Sequence, residues 1–126
     1  MPIRILYVED NKMNFLLVRK ILSQYPSVEV LHAEDGDAAV LVAQGQRPDL
    51  VLMDLHLPGL DGFQVADRIR TCEGLAEVPI LALTASVMQS DHDAARRAGF
   101  DGYIEKPLDV KLLCGEIERA LGRKLG

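Results

Sequence analysis

The residue of this chain best suited to chemistry is Asp54, which closes the apolar run 50–53 (LVLM). Such a run is typical of a parallel strand that is buried on both faces. Because an ionised carboxylate is costly to bury without compensation, we expect Asp54 at the carboxyl end of the strand, facing a cleft. Ligands bind at this edge in open α/β sheets. The turn sequence 57–62 (LPGLDG) then ends the strand, and we predict that a helix begins at Phe63.

Polar side chains also lie at the ends of three other predicted strands. Glu9 and Asp10 follow the first strand, Thr84 closes the fourth, and Lys106 follows the fifth. Because the carboxyl ends of parallel strands share one edge of the sheet, we expect these side chains to converge around Asp54. Three carboxylates in a partly desolvated cleft repel one another. The cations that could offset this repulsion are Lys106 and a bound metal ion.

This set of groups suits phosphoryl transfer onto a carboxylate. Oxygen ligands without imidazole or thiolate favour Mg²⁺, with Mn²⁺ as the alternative metal. Asp54 could act as the nucleophile and form an aspartyl phosphate. The metal and Lys106 would neutralise charge on the equatorial oxygens in the transition state. Thr84 would offer its hydroxyl to a phosphate oxygen.

Each of these residues also has an ordinary structural interpretation. Glu9 and Asp10 could cap a helix, and the Thr84 hydroxyl could bond to backbone. Lys106 could be solvated, and Tyr103 could be an aromatic of the core or its rim. Taken together, four strand ends at one edge favour the functional interpretation.

Strand-like and helix-like segments alternate five times along the chain, with short breaks between them. This alternation predicts one domain over residues 1–126, an α/β fold with a doubly wound five-stranded parallel sheet of the flavodoxin-like type. We expect the strand order 2-1-3-4-5, because strands 1, 3 and 4 are the most uniformly apolar. The predicted strands are 3–8, 28–33, 50–55, 80–84 and 102–104, and the predicted helices are 13–24, 35–44, 63–71, 91–98 and 110–121.

Composition is that of an ordinary globular protein, with 126 residues, 48% hydrophobic and 26% charged. No stretch approaches the length of a membrane span, and no signal-peptide pattern precedes the first strand, so we expect a cytoplasmic protein that does not enter membranes. Cys72 directly follows the predicted helix 63–71 and Cys114 lies on the predicted helix 110–121; the two have no CxxC spacing, and reduced thiols are expected.

The charge distribution argues against nucleic-acid binding. The net charge is −5, and the lysines and arginines are spread over several helices rather than forming one basic stripe. The three histidines, His32, His56 and His92, have no ligand spacing with one another or with the cysteines, which argues against a zinc site.

The sequence resembles the receiver domain of two-component response regulators from about residue 3 to residue 122. The matching motifs occur in the family's order and spacing: 5–11 (ILYVEDN), 49–62 (DLVLMDLHLPGLDG), 79–85 (PILALTA) and 103–107 (YIEKP). Asn11, Asn14 and Met88 add a likeness to stand-alone cell-division regulators and to the receivers attached to hybrid histidine kinases.

The resemblance implies a metal and phosphoacceptor site. Asp54 would be the phosphoacceptor, and Asp10 and Asp54 would bind Mg²⁺ together with the backbone carbonyl of His56. Glu9 would act through a metal-bound water.

It also implies how the phosphoryl group is held and sensed. Thr84 and Lys106 would contact the phosphoryl group, Tyr103 would be the switch aromatic, and a cis peptide would precede Pro107. The residues two positions after Asp54 and Thr84 vary in the family and leave the phosphoryl lifetime open.

The function predicted on this basis is a phospho-accepting signalling switch that catalyses only its own phosphorylation and dephosphorylation. Its partners would be a sensor histidine kinase or histidine phosphotransferase and a downstream protein effector, and it would be a monomer or weak dimer. Five residues follow Leu121, too few for an output module. We therefore expect output through protein contacts on the surface formed by 91–98, 102–104 and 110–121, unless the chain belongs to a longer protein.

Three other functions are weaker alternatives. A phosphatase of the haloacid-dehalogenase kind would carry a second Asp where this chain has His56. A binding-only pseudo-receiver would lack an acidic residue or the lysine. A flavodoxin-like flavin carrier needs a phosphate-cradling loop after strand 1, where Glu9 and Asp10 would repel a phosphate.

Overall fold

In the computed structural model, five strands and five helices alternate along the chain. The structure describes residues 2–55, 61–84, 89–106 and 108–126, and of residues 89–92 the backbone alone. The strands are β1 Ile3–Val8, β2 Val28–Ala33, β3 Leu50–Asp54, β4 Ile80–Thr84 and β5 Gly102–Glu105; the helices are α1 Lys12–Leu22, α2 Gly36–Gln46, α3 Gly62–Arg70, α4 Gln89–Arg97 and α5 Val110–Leu121.

All five strands are parallel and form one sheet in the order β2-β1-β3-β4-β5. The doubly wound topology and the strand order expected from the apolar runs are both confirmed. β3 and β4 are buried along their whole length, as strands with helices on both faces must be.

The sheet separates two apolar clusters, which explains why its central strands need hydrophobic side chains at every position. On one face, α1 and α5 contribute the buried residues Phe15, Val18, Leu22, Leu113, Cys114 and Ile117. On the other face, α2, α3 and α4 contribute Ala39, Val40, Ala43, Val65, Ala66, Ile69 and Ala95. Alternate side chains of each strand point into the two clusters.

Acidic or amide side chains start four of the helices directly after the loops at the carboxyl edge of the sheet. Asn11 accepts from the amides of residues 13 and 14, and Asp35, Asp61 and Asp109 each accept from an amide in the first turn of α2, α3 and α5. These caps fix where each chain segment turns away from the functional edge.

Several predicted boundaries are wrong by one or two residues. α2 continues through Gly45 to Gln46, since a glycine can be accommodated within a helix, and it ends where Arg47 adopts a left-handed conformation with φ 48°. α1 ends at Leu22 rather than at 24, and β3 ends at Asp54 itself.

Other expectations concern cysteines and membranes. Cys72 and Cys114 are buried free thiols, as expected. Among the described residues, no helix combines the length and the apolarity that crossing a membrane requires.

Candidate functional site

Three buried polar side chains lie at the carboxyl edge of the sheet. Asp54 is the last residue of β3 and is 4% exposed, Thr84 is the last of β4, and Glu9 directly follows β1. Among the residues that the structure describes, these three are the buried polar or charged side chains. Since buried polar groups are costly without partners, their concentration at one edge marks this edge as the functional candidate.

Lys106 supplies the positive charge at this edge. Its Nζ donates a hydrogen bond to Oδ2 of Asp54 at 2.8 Å and lies 3.6 Å from Oε2 of Glu9. The Lys106 amide also donates to the carbonyl of Thr84 at 2.8 Å, which ties the segment after β5 to the end of β4. The predicted convergence of Glu9, Asp54, Thr84 and Lys106 is therefore present in the structure.

Neighbours on β1 and α1 hold the Glu9 carboxylate. Asn14 donates from Nδ2 to Oε1 at 2.9 Å, and the amide of Asn11 reaches the same oxygen at 3.4 Å. The hydroxyl of Tyr7, a fully buried residue, donates to Oε2 at 3.4 Å. Asn11 thus caps α1 while its own amide contacts the acid that precedes the helix.

The electrostatics of the cluster show an excess of negative charge. Burial raises the pKa of Glu9, and a hydrogen bond to Asp54 raises it further, against smaller opposing effects of Asn14 and Lys106. Burial also raises the pKa of Tyr7, with the charges of Glu9 and Asp54 adding to the effect. The single ammonium group of Lys106 therefore does not fully offset the negative charge of the Glu9 and Asp54 carboxylates.

Lys106 remains charged in this setting. Burial alone lowers its pKa, but the hydrogen bond and charge of Asp54, together with the charge of Glu9, outweigh burial and raise the pKa overall. The residue is therefore a cation beside Asp54 at neutral pH.

The remaining predicted site residues fall into two groups. Asp10 follows Glu9 and is exposed to solvent, and Tyr103 on β5 is partly buried against the cluster of the α2–α4 face. His56 and Pro107 lie outside the described residues, so their predicted roles as metal ligand and cis-proline stay predictions.

Tyr7 and His32 have no site role among the residues predicted from the sequence, and Asn14 is only part of the resemblance. A tyrosine within an otherwise apolar buried strand needs a partner for its hydroxyl, and this signal could have found Tyr7. His32 was considered only as a zinc ligand, whereas its Nε2 lies 2.8 Å from the carbonyl oxygen of Glu9.

The donor set fits a hard divalent cation. Glu9, Asp10 and Asp54 offer carboxylate oxygens, the ligands that such an ion prefers. Within the described residues, no group of three or more His, Cys, Asp or Glu side chains is placed to hold a metal ion. Mg²⁺ does not require such a group, because it keeps several waters and takes only one or two carboxylates.

Comparison with known proteins identifies the family. Residues 5–118 match the response regulator receiver domain. The chain belongs to this family. The membership expected from the four motifs is confirmed, and the receiver domain covers most of the chain.

Two relatives illustrate the contexts in which such receivers occur. The chain is 34% identical over 122 residues to the polar-differentiation response regulator DivK of Brucella anthropi, and the match covers 97% of this chain and 98% of DivK. It is 38% identical over 125 residues to the sensor protein GacS of Pseudomonas syringae pv. syringae, covering 97% of this chain and 14% of GacS.

Solved receiver structures share the fold. The receiver domain of a sensor histidine kinase from Pseudomonas aeruginosa, described with a magnesium ion in its active-site cleft, has a TM-score of 0.86 and 37% identity, with 97% of this chain and 99% of that chain covered. Chemotaxis protein CheY4 of Vibrio cholerae has a TM-score of 0.88 and 26% identity, with 95% and 99% covered.

Membership gives the general role of the chain. Receiver domains are phospho-accepting switches rather than conventional enzymes, and they act between histidine kinases or phosphotransferases and downstream targets.

Proposed function

We propose that this receiver accepts a phosphoryl group on Asp54 from the phosphohistidine of a sensor histidine kinase or histidine phosphotransferase. The observation that carries the proposal is the contact of the Lys106 ammonium with a buried carboxylate at the carboxyl end of a central strand. A buried aspartate needs a partner whatever its role, but two buried acids that share one lysine at the ligand-binding edge of the sheet are typical of a functional site.

The transfer is a nucleophilic displacement at phosphorus. A carboxylate oxygen of Asp54 forms a bond to phosphorus, the bond between phosphorus and the donor nitrogen breaks, and the imidazole leaves with the electron pair and takes up a proton. Lys106 donates to the carboxylate before transfer and can follow the developing charge onto the phosphoryl oxygens. The hydroxyl of Thr84 would donate to one of those oxygens.

Glu9, Asp10 and Asp54 would hold Mg²⁺, or Mn²⁺ in its place, with the carbonyl of His56 as a further ligand. When bound, the ion neutralises charge on the transferred group. Glu9, whose carboxyl is anchored by Asn14, would act through a bound water rather than directly.

Output would leave through the surface of α4, β5 and α5. Tyr103 pairs with Ala82 in the sheet, and Thr84 lies two residues beyond Ala82, so that the side chains of Thr84 and Tyr103 project from the same face of neighbouring strands. A shift of the Thr84 hydroxyl toward a phosphoryl group would free space that the Tyr103 ring could enter. The effector would then bind the altered surface.

The test is intact-mass measurement after incubation with a small phosphodonor and Mg²⁺. We expect a single phosphoryl adduct on the wild type and none on Asp54→Asn, which keeps the size of the side chain but lacks the nucleophilic anion. Asp67→Asn, at an exposed position on α3, serves as the matched control and should be phosphorylated normally. Stoichiometric phosphorylation of folded Asp54→Asn would refute the assignment.

A second measurement addresses the metal. Asp10→Ala should weaken Mg²⁺ binding and slow phosphorylation, because it removes a direct ligand, whereas Asp67→Ala should do neither. Wild-type phosphorylation that continues undiminished in excess chelator would contradict the metal part of the proposal.

A further inference from the structure

His32 links β2 to the turn that carries Glu9 and Asp10. Its Nε2 lies 2.8 Å from the backbone carbonyl oxygen of Glu9. Because a carbonyl oxygen only accepts, Nε2 carries the hydrogen and donates. β2 ends at Ala33, whose carbonyl accepts from the amide of Glu9 at 2.9 Å. The His32 side chain therefore adds a second bond between the end of β2 and Glu9, at the point where the chain leaves the sheet.

The imidazole is itself held in place by α1. Its ring stacks on the ring of Phe15 with centroids 3.9 Å apart and an interplanar angle of 11°. Phe15 is buried in the cluster beneath α1, and His32 is half-buried. A donor fixed by stacking loses less conformational freedom when it bonds, so its position is a defined part of the fold.

The side chain and the backbone of Glu9 are thus held by different residues. Asn14 and Tyr7 contact the side chain of Glu9, whereas His32 contacts its backbone. The carbonyl of Glu9 belongs to the peptide unit that leads directly into Asp10. Without the His32 donor, the Glu9 carbonyl would lose this hydrogen bond and the peptide unit could rotate. The rotation would move the Asp10 carboxylate relative to Asp54.

We propose that His32 is a positioning residue for the cation site, acting through the Glu9 backbone on the placement of Asp10. This inference rests on the proposed function, since it assumes that Asp10 and Asp54 hold Mg²⁺. Groups that orient metal ligands without touching the metal commonly change affinity by about 10–100-fold when they are removed. Loss of a single donor that acts through the backbone should change metal affinity by the lower end of that range.

The experiment compares His32→Phe with His32→Gln. Phenylalanine keeps an aromatic ring to stack on Phe15 but has no donor, whereas glutamine lacks the ring but can donate from its amide. Metal affinity is measured by titration of Mn²⁺ followed by electron paramagnetic resonance and of Mg²⁺ by calorimetry, with urea unfolding of each variant in parallel. We expect His32→Phe to bind about tenfold more weakly and His32→Gln to recover most of the loss.

Val30→Ala is the matched control. Val30 lies two residues earlier on β2, so its side chain projects from the same face as His32, and it packs against the same apolar cluster. This variant should lower the free energy of unfolding without changing the dissociation constant of the folded protein. If His32→Phe does not fold, His32→Leu provides a second variant without a donor.

The outcomes separate the two proposals. A wild type that binds metal and is phosphorylated, with unchanged metal affinity in a folded donor-free variant, overturns the role of His32 and leaves the proposed function standing. Equal loss in His32→Phe and His32→Gln also overturns it, because the donor would then not be the cause. A wild type that neither binds metal nor accepts a phosphoryl group overturns both.

Discussion

Nζ of Lys106 lies 2.8 Å from Oδ2 of Asp54, across a separation of 52 positions in the sequence. This contact joins the segment after β5 to the end of β3. The cation that would stabilise a transferred phosphoryl group is therefore already bound to the carboxylate that would receive it. Because Lys106 also lies 3.6 Å from Glu9, its removal should affect both stability and chemistry.

The first prediction concerns Lys106→Met, which replaces the cation with an apolar chain of similar length. In metal-free buffer the free energy of unfolding should fall by roughly 1–3 kcal/mol, because two buried carboxylates lose their cation while partial exposure of the lysine limits the loss. Urea unfolding checks this, and Mg²⁺ should restore part of the stability.

Lys111→Met, which replaces an exposed lysine on α5, is the control and should change stability little. In a double-mutant cycle with Asp54→Asn, the loss caused by Lys106→Met should shrink, because one of the two carboxylates is then replaced by a neutral amide. An undiminished loss in the Asp54→Asn background would mean that the ion pair is not its source.

The second prediction is a pH dependence set by Glu9. The pKa of Glu9 in the folded protein lies above its ordinary value of 4.5, so the folded state holds the proton more tightly than the unfolded chain. In chelator, the free energy of unfolding should therefore fall as pH rises from about 4.5 through the folded pKa, and then level off. Glu9→Gln should remove this fall, so its stability relative to the wild type should increase as pH rises from about 4.5.

Thermal or urea unfolding from about pH 4 to about pH 8 measures this difference, with Glu73→Gln at an exposed loop position as the control. A stability difference between Glu9→Gln and wild type that does not change with pH would show that the folded and unfolded states bind the Glu9 proton equally tightly, and would contradict the raised pKa.

The third prediction tests the coupling between Thr84 and Tyr103. Thr84→Ala should reduce the phosphorylation yield only modestly, because Lys106 remains in place. Most of the phosphorylation-dependent change in the nuclear magnetic resonance signals of the Tyr103 ring should be lost. Phosphorylation-dependent affinity for an effector should fall more than yield. Thr71→Ala, at the exposed end of α3, is the control. If the phosphorylation yield and the change in the Tyr103 ring signals fell equally, Thr84 would act only in phosphoryl transfer and not in the coupling to Tyr103.

The fourth prediction concerns packing beneath the output surface. A Cβ on Gly102 would lie 2.7 Å from Cδ2 of Leu81, which is fully buried, so Gly102→Ala should destabilise the fold by about 1–3 kcal/mol. Gly115→Ala is the matched control on α5, because an added Cβ there would have no atom within 4 Å apart from its own helix backbone and chain neighbours, and it should stabilise the protein by up to about 1 kcal/mol. Equal effects in the two variants, by urea unfolding, would contradict this account.

Much of the fold could be predicted from the sequence because the apolar runs are continuous. β1, β2, β4 and α5 have the predicted bounds, since each is delimited by proline, glycine or a capping residue. The end of α2 could not be predicted in the same way. Gly45 favours termination locally, but the helix continues and Arg47 takes the left-handed position that glycine usually occupies.

The sequence predicts which residues form the site better than it predicts the hydrogen bonds among them. Strand-end polarity locates Glu9, Asp54, Thr84 and Lys106, because alternation of secondary structure brings strand ends together. A side chain that acts on another residue's backbone leaves no such pattern. His32 lies within a strand and 23 positions from Glu9, and only the paired register of β1 and β2 brings them into contact.

Ser27, at the edge of the sheet opposite the site, joins the two ends of the described chain. Its carbonyl accepts from the amide of Ile3 at 2.7 Å, and its hydroxyl donates to the carbonyl of Leu125 at 3.3 Å. A surface anchor, fluorophore or fused protein attached near either of these residues would therefore project away from Asp54. Immobilised in this way, the receiver should still present its whole reactive edge to a kinase-sized molecule arriving from solution.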